Sequence, residues 1–405
     1  MKILFTSPII EHPAAGGPQL RIENSIKALS KISELYIVVR NYKHNIGGGN
    51  AVKFYSKYTQ NFSFSPSVSN LSQNKYLRKT KKIFRNLFSS ELDRDAKYIL
   101  QIAKENNINI IWFGYGNISY DLIKLVNKFN SKLQLVCDTD SVWSRFILRE
   151  LPYVKDRVRV DQIKIDGELK EKEESEWVDL CDITTAVSEV DAQYYRSIAK
   201  DKSKVMLFSN VIDMNTYSQY YKKSSELISP NIYLAGSFVP QSAMDKAARW
   251  FINDIYPLVK KEIPEIHFYI VGSGSKETLH DIIDESISVM GKVESVLPYL
   301  SYSDVSIVPL RFESGTRFKI MEAAACNVPI VSTTLGAEGI PVKHEKDILI
   351  ADTEKDFANS IIRIIINKEF GSHLSNNCYD LIKQNNSVDT LVVEAKKIIE
   401  RLDND

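Results

Sequence analysis

The chain has 405 residues, 44% hydrophobic and 25% charged, with 52 basic and 51 acidic side chains. This balance excludes disorder, collagen and coiled coil for the whole chain, and the length suits two or three domains. No run of about 18 uncharged apolar residues exists, so no membrane-spanning helix is expected.

The chain opens on an apolar run, Lys2–Ser7, that reads as a strand and is too short for a secretory signal. A cytoplasmic protein is therefore expected. Further strands are predicted at Leu35–Val39, Ile108–Phe113, Leu133–Cys137 and Ile183–Val187. A second set follows at Ile232–Ala235, His267–Val271, Val305–Pro309 and Pro329–Ser332. Most are continuous apolar runs, the pattern of strands buried on both faces of a parallel sheet. Helical patterns lie between them, as at Arg21–Lys31, Lys246–Lys260 and Phe318–Ala325. Alternating strands and helices imply an α/β protein with two doubly wound sheets.

The polar, tyrosine-rich stretch Asn210–Ser225 separates the two strand sets. The expected division is residues 1–210, residues 211–386, and an amphipathic helix at 387–405 that packs back toward the first domain. Residues 43–75, rich in Gly, Asn and Ser and containing Gly47-Gly48-Gly49, read as a long surface loop.

Charge is unevenly spread. Residues 1–100 hold 16 Lys and Arg against 6 Asp and Glu, so this end is expected to face something anionic. Within it, Lys75–Phe88 carries six basic residues and no acidic one. Its apolar residues Tyr76, Leu77, Ile83, Phe84, Leu87 and Phe88 can share a side at helical spacing. Two readings stand: an interfacial helix on anionic lipid, or a solvated helix packed on its own domain. Nothing else in the chain supports nucleic-acid binding. Cys137, Cys181, Cys326 and Cys378 form no C-x-x-C pair and read as reduced, buried thiols.

Several motifs are absent. No G-x-G-x-x-G follows the first strand, and Gly272-Ser273-Gly274 has Glu277 where a third Gly belongs. There is no phosphate-loop motif, no H-E-x-x-H and no G-x-S-x-G. Gly16-Gly17 precedes the first helix, where glycines let backbone approach a ligand and the helix N-terminus favours anions; an ordinary turn explains them too. Asp138-Thr139-Asp140 closes a predicted strand, where open α/β sheets bind ligands. It allows three roles: metal-free work in an active site, capping of the next helix, or a divalent cation held through phosphates.

The richest segment is Pro309–Ala325. A strand ends, a loop turns at Gly315, and a helix begins. Backbone N–H groups of Gly315 and Thr316, with Arg317 and Lys319, suit a diphosphate. Glu322 lies one turn on, with two acceptor oxygens for vicinal ribose hydroxyls. A solvated charged helix face explains poorly a Glu322 beside the apolar run Ala323–Ala325.

Gly315-x-x-x-Lys319-x-x-Glu322, with Asn327-x-Pro329-Ile330-Val331 and Gly336-Ala337-Glu338-Gly339, resembles the retaining glycosyltransferases of family 4. Gly16-Gly17, Ala186-Val187-Ser188-Glu189, Asn210-Val211-Ile212-Asp213, Ile270–Gly274 and Gly291-Lys292-Val293 agree in order. The resemblance spans nearly the whole chain. It implies the GT-B fold, two Rossmann-like domains facing a central cleft, with the acceptor bound by the first (1–210) and a nucleotide-sugar donor held mainly by the second (211–386). Glu322 would bind ribose, and Arg317 and Lys319 the diphosphate. The backbone of Gly291, Lys292 and Val293 would contact the base. Gly16 and Gly17 would lie near the phosphates, with Gly236 and Gly272 in the donor-side loops. Asp140 falls where many members place a histidine near the transferred sugar.

Two departures stand out. The family's E-x7-E pattern would start at Ser314, and Glu313 is one residue early. An Arg-x4-Lys pattern is missing after the second domain's first strand, where Gly236-Ser237-Phe238 stands. Phosphate charge should then rest on Arg317 and Lys319. The implied activity is metal-independent, retaining sugar transfer to a glycan or lipid-linked acceptor, in polysaccharide or lipopolysaccharide assembly at the inner membrane face, without a cofactor. A nucleotide-sugar 2-epimerase of the same fold and a silent partner subunit of a transferase are the alternatives.

Overall fold

A computed structural model of the chain describes residues 1–14, 16–66, 90–217 and 219–404. The basic segment Lys75–Phe88 lies outside them. Contacts divide the chain into two units. One comprises Met1–Ser144, Lys164–Asn210 and Val388–Asp405; the other comprises Arg145–Ile163 and Val211–Ser387. Residues Arg145–Ile163, expected with the first domain, group with the second. Arg149 accounts for this: it forks onto Glu338 at 2.6 and 2.9 Å and donates to the Glu313 carbonyl at 2.9 Å.

The first unit holds a seven-stranded parallel sheet. Its strands are β1 (Lys2–Ser7), β2 (Glu34–Val39), β3 (Asn61–Phe64), β4 (Ile110–Gly114), β5 (Gln134–Asp138), β6 (Ile183–Ala186) and β7 (Val205–Leu207), in the order β3-β2-β1-β4-β5-β6-β7. Phe5 on β1 pairs with Ile37 on one side and Trp112 on the other. All three are fully buried, as the apolar runs require.

The second unit holds a six-stranded parallel sheet. Its strands are β8 (Asn231–Ala235), β9 (His267–Val271), β10 (Ile287–Gly291), β11 (Val305–Val308), β12 (Ile330–Ser332) and β13 (Leu349–Ile350), in the order β10-β9-β8-β11-β12-β13. Each order reverses once, between β1 and β4 and between β8 and β11. Each sheet is therefore doubly wound, with a crevice at the carboxyl ends of its central strands.

The four strands absent from the sequence reading, β3, β7, β10 and β13, are the four edge strands. An edge strand is short and partly solvated, so it lacks the continuous apolar run that marks an interior one. The expected loop 43–75 begins instead with a helix, Gly48–Tyr55, and then β3. Gly47 starts that helix at φ +97°, where a Cβ would fall 2.0 Å from the His12 carbonyl oxygen.

The expected helix Lys246–Lys260 is interrupted. A wide π turn, Phe251–Ile255, separates helices Ala243–Trp250 and Tyr256–Glu262. Pro257 has no N–H to return to the preceding turn, which removes the ordinary ladder there. The C-terminal helix runs Val388–Asp403 and packs on the first unit. Glu394 accepts from the Ser209 N–H and hydroxyl at 2.7 Å, and Gln134 donates to the Leu402 carbonyl. Cys137, Cys181 and Cys378 are buried and free, and Cys326 is half-buried. No described helix is long and apolar enough to cross a membrane.

Candidate functional site

In the second unit, β11 ends at Val308 and the chain turns before the helix Phe318–Ala325. Gly315 sits at φ +82°, which a side chain would strain. The turn brings Arg317 inward until it is only 5% exposed. Its Nη1 donates to the Ser314 carbonyl at 2.7 Å and also to that of Gly315. Its Nε lies 3.2 Å from Glu313 Oε2. Nη2 has no hydrogen-bond partner, and neither has the buried Ser314 hydroxyl. A buried guanidinium arm and a buried hydroxyl without partners are costly alone, and an anion is one group whose oxygens could satisfy the arm. Glu313 thus faces Arg317, and Ser314 presents an unused hydroxyl where the family pattern places a carboxylate.

Lys319 is half-buried and makes no ion pair among the described residues. Glu322 follows one turn later. The Tyr217 hydroxyl donates to its Oε1 at 2.9 Å, and Tyr233 on β8 is buried nearby with an unpartnered hydroxyl. Burial pushes the Glu322 carboxyl above its ordinary range, against the Tyr217 bond and the Lys319 charge. The structure therefore brings Gly315, Thr316, Arg317, Lys319 and Glu322 onto one loop and helix start. Tyr217 escaped the sequence reading because no spacing rule relates positions 105 residues apart.

Gly236 and Gly272, expected in donor-side loops, form a backbone junction. Gly272 sits at φ +138°, where a Cβ would fall 1.8 Å from the Gly236 carbonyl oxygen. Gly236 N donates to Val271 O, and Gly272 N to Gly291 O. Close approach of three loops thus explains Gly236 and Gly272. Lys292 is exposed and Val293 half-buried against the core.

In the first unit, Gly16 and Gly17 begin the helix Gly17–Ser30, which has no side-chain cap and no acidic residue in its first turn. Asp138 and Asp140 part company. Asp138 is fully buried; it pairs with Arg21 and accepts from Thr185 at 2.9 Å. Arg21 also reaches Asn210 Oδ1 at 2.8 Å and the Phe208 carbonyl at 3.0 Å. Burial raises the Asp138 carboxyl, against the Arg21 charge. Asp138 is an internal clasp: its partners start no helix, which removes capping. Asp140 is half-buried and accepts from Asn117 Nδ2 and, at 3.0 Å, from Trp143 Nε1. The two carboxylates of the D-x-D have separate partners, unlike a shared cation site.

Residues 229–367 match the family model "Glycosyl transferases group 1". The chain is 24% identical over 197 residues to the "Uncharacterized 44.6 kDa protein in cps region" of Klebsiella pneumoniae, covering 46% of this chain and 49% of that protein. It thus spans about half the length of that relative. It is 23% identical to an uncharacterized glycosyltransferase of Methanocaldococcus jannaschii, over 99% of this chain and 98% of the other. The solved structure of Anabaena HepE in complex with UDP and glucose is similar at TM-score 0.65 and 13% identity, covering 99% of each chain. Two Rossmann-like parallel sheets and these neighbours make the fold class GT-B. The family-model match and the archaeal relative support a glycosyltransferase.

Proposed function

We propose that the chain is a retaining, metal-independent glycosyltransferase that takes a sugar from a nucleotide-diphosphate donor. The observation that carries this is the buried Arg317, with its Nη2 unpartnered beside the unpartnered Ser314 hydroxyl, at the carboxyl end of β11. Transfer breaks the bond between the sugar's anomeric carbon and the diphosphate; an acceptor hydroxyl oxygen forms the new bond to that carbon and its proton passes to the departing diphosphate. Negative charge grows on the departing diphosphate. Arg317, Lys319 and the N–H groups of Gly315 and Thr316 stabilise it there, where preorganised charge acts most strongly.

Glu322 holds the ribose hydroxyls through the oxygen that Tyr217 leaves open, and the backbone of Lys292 and Val293 meets the base. Gly16 and Gly17 serve the phosphates, and Asp140 attends the transferred sugar. UDP is the first donor nucleotide to test, since HepE was solved with it. The acceptor is a glycan, and lipid-linked if the basic residues 75–88 meet an anionic membrane. A relative from a cps region accords with surface polysaccharide assembly.

Thermal shift with UDP, GDP and their sugars, without added metal, tests this. A ligand of the native state raises the midpoint by mass action. A rise with one base, lost in Glu322→Ala, is expected. No rise with any nucleotide would move a silent partner subunit to the front. A new nucleotide sugar formed without acceptor would identify the epimerase.

A further inference from the structure

Another group of polar side chains stands in the first unit, and of these only Asp140 has been given a part in donor chemistry. Arg40 directly follows β2. Its Nε donates to Thr6 Oγ1 on β1 at 3.1 Å, and its Nη2 to Ser119 Oγ, in the turn after β4, at 2.6 Å. Those hydroxyls spend their own protons on the Val38 and Tyr115 carbonyls. Both partners are neutral, so neither offsets the guanidinium charge. Among the described residues no carboxylate forms an ion pair with Arg40. Asp95 acts on it only at longer range and is itself engaged by Ser65. Burial pushes Arg40 down to about 10, the mark of a cation lacking a counter-charge.

The same turn carries a second unfilled group. Asn117 is 5% exposed; its Nδ2 serves Asp140, while its Oδ1 has no hydrogen-bond partner. Such a buried acceptor awaits a donor. Tyr115, at φ +60°, bends the chain into this turn. Thr6, Arg40, Asn117, Ser119 and Asp140 stand at the carboxyl ends of β1, β2, β4 and β5. These strands are neighbours in the sheet and flank its switch point.

We propose that this edge of the first sheet binds an acceptor bearing a phosphate ester, with Arg40 pairing to the phosphate and Asn117 Oδ1 accepting from a hydroxyl of the attached sugar. That the bound molecule is the acceptor rests on the transferase reading; the anion site itself does not. The phosphate could belong to a soluble sugar phosphate or to a lipid-phosphate carrier.

Calorimetric titration of the full chain separates these, with saturating UDP filling the second unit's diphosphate site. One arm compares glucose 6-phosphate with glucose. The other compares phosphatidylcholine vesicles with and without polyprenyl phosphate. The phosphorylated form should bind about tenfold tighter in at least one arm, as a charge-assisted contact implies. Arg40→Gln should abolish that preference, and Arg40→Lys should keep only part of it, since the planar fork is lost. UDP affinity should be unchanged in both variants, which also reports folding. Equal binding of charged and neutral probes in both arms overturns the proposal. So does a wild-type preference in Arg40→Gln or, should that variant fail to bind UDP, in Arg40→Lys. Absence of UDP binding by the wild type sinks the transferase reading instead, and leaves the Arg40-dependent preference standing.

Discussion

The Tyr217 hydroxyl donates a 2.9 Å hydrogen bond to Glu322 Oε1, joining the short helix Met214–Tyr217 to the helix Phe318–Ala325 within the second unit. The bond commits one carboxylate oxygen and holds the other in a set direction. Tyr217→Phe removes it while keeping the ring. Nucleotide affinity should fall about 10–100-fold, the worth of one hydrogen bond to a charged group, and calorimetry with UDP measures it.

Glu322 also sets a pH dependence. Its folded-state pKa is raised by burial, so between the unfolded and folded values the native state holds the extra proton. The stability it contributes is present below the unfolded value and is lost as pH rises through the folded one. Nucleotide binding runs the other way, because the ionised carboxylate is the better acceptor. Wild type should thus gain stability and lose UDP affinity as pH falls through this window. Glu322→Gln should flatten both trends in paired melting and titration series.

Lys319→Ala and Glu322→Ala should each lower sugar turnover by orders of magnitude, about 10²-fold or more, with melting curves close to wild type. Lys319 has no ion pair to lose among the described residues, so its loss touches the ligand more than the fold. Near-normal rates in both variants would refute the site.

Arg21→Met should destabilise the first unit by about 3–5 kcal/mol, because it leaves the Asp138 carboxylate buried and unpaired. Asp138 is fully buried, and its folded-state pKa is already raised. Protonation neutralises it, so the deficit should be largest at neutral pH and shrink as pH falls. Urea unfolding at several pH values checks both size and direction.

Gly272→Ala should cost about 1–3 kcal/mol, since its backbone angle disfavours a side chain and the Gly236 carbonyl blocks the Cβ. Melting of the variant tests this. Full stability would mean that the β8 and β9 loops part easily.

The interior strands, the helix after Gly315 and the charged cluster Arg317–Glu322 are legible in the sequence. Each is a local pattern: an apolar run, a turn glycine, charges at helical spacing. Burial on both faces imposes the first, and the residues of the other two lie within a few positions of one another. The edge strands β3, β7, β10 and β13 are not legible, because partial solvation erases the pattern. Asp138 and Asp140 look equivalent as D-x-D. Asp138 ends β5 and Asp140 lies in the turn beyond it, and only packing decides that Arg21 claims one while Asn117 and Trp143 take the other. Tyr217 and Arg40 carry no motif at all. The sequence by itself determined two doubly wound sheets and a phosphate-suited loop, since local chemistry dictates both. Only the tertiary structure decided which charges are paired internally and which have no ion-pair partner among the described residues, since that depends on partners brought together from distant parts of the chain.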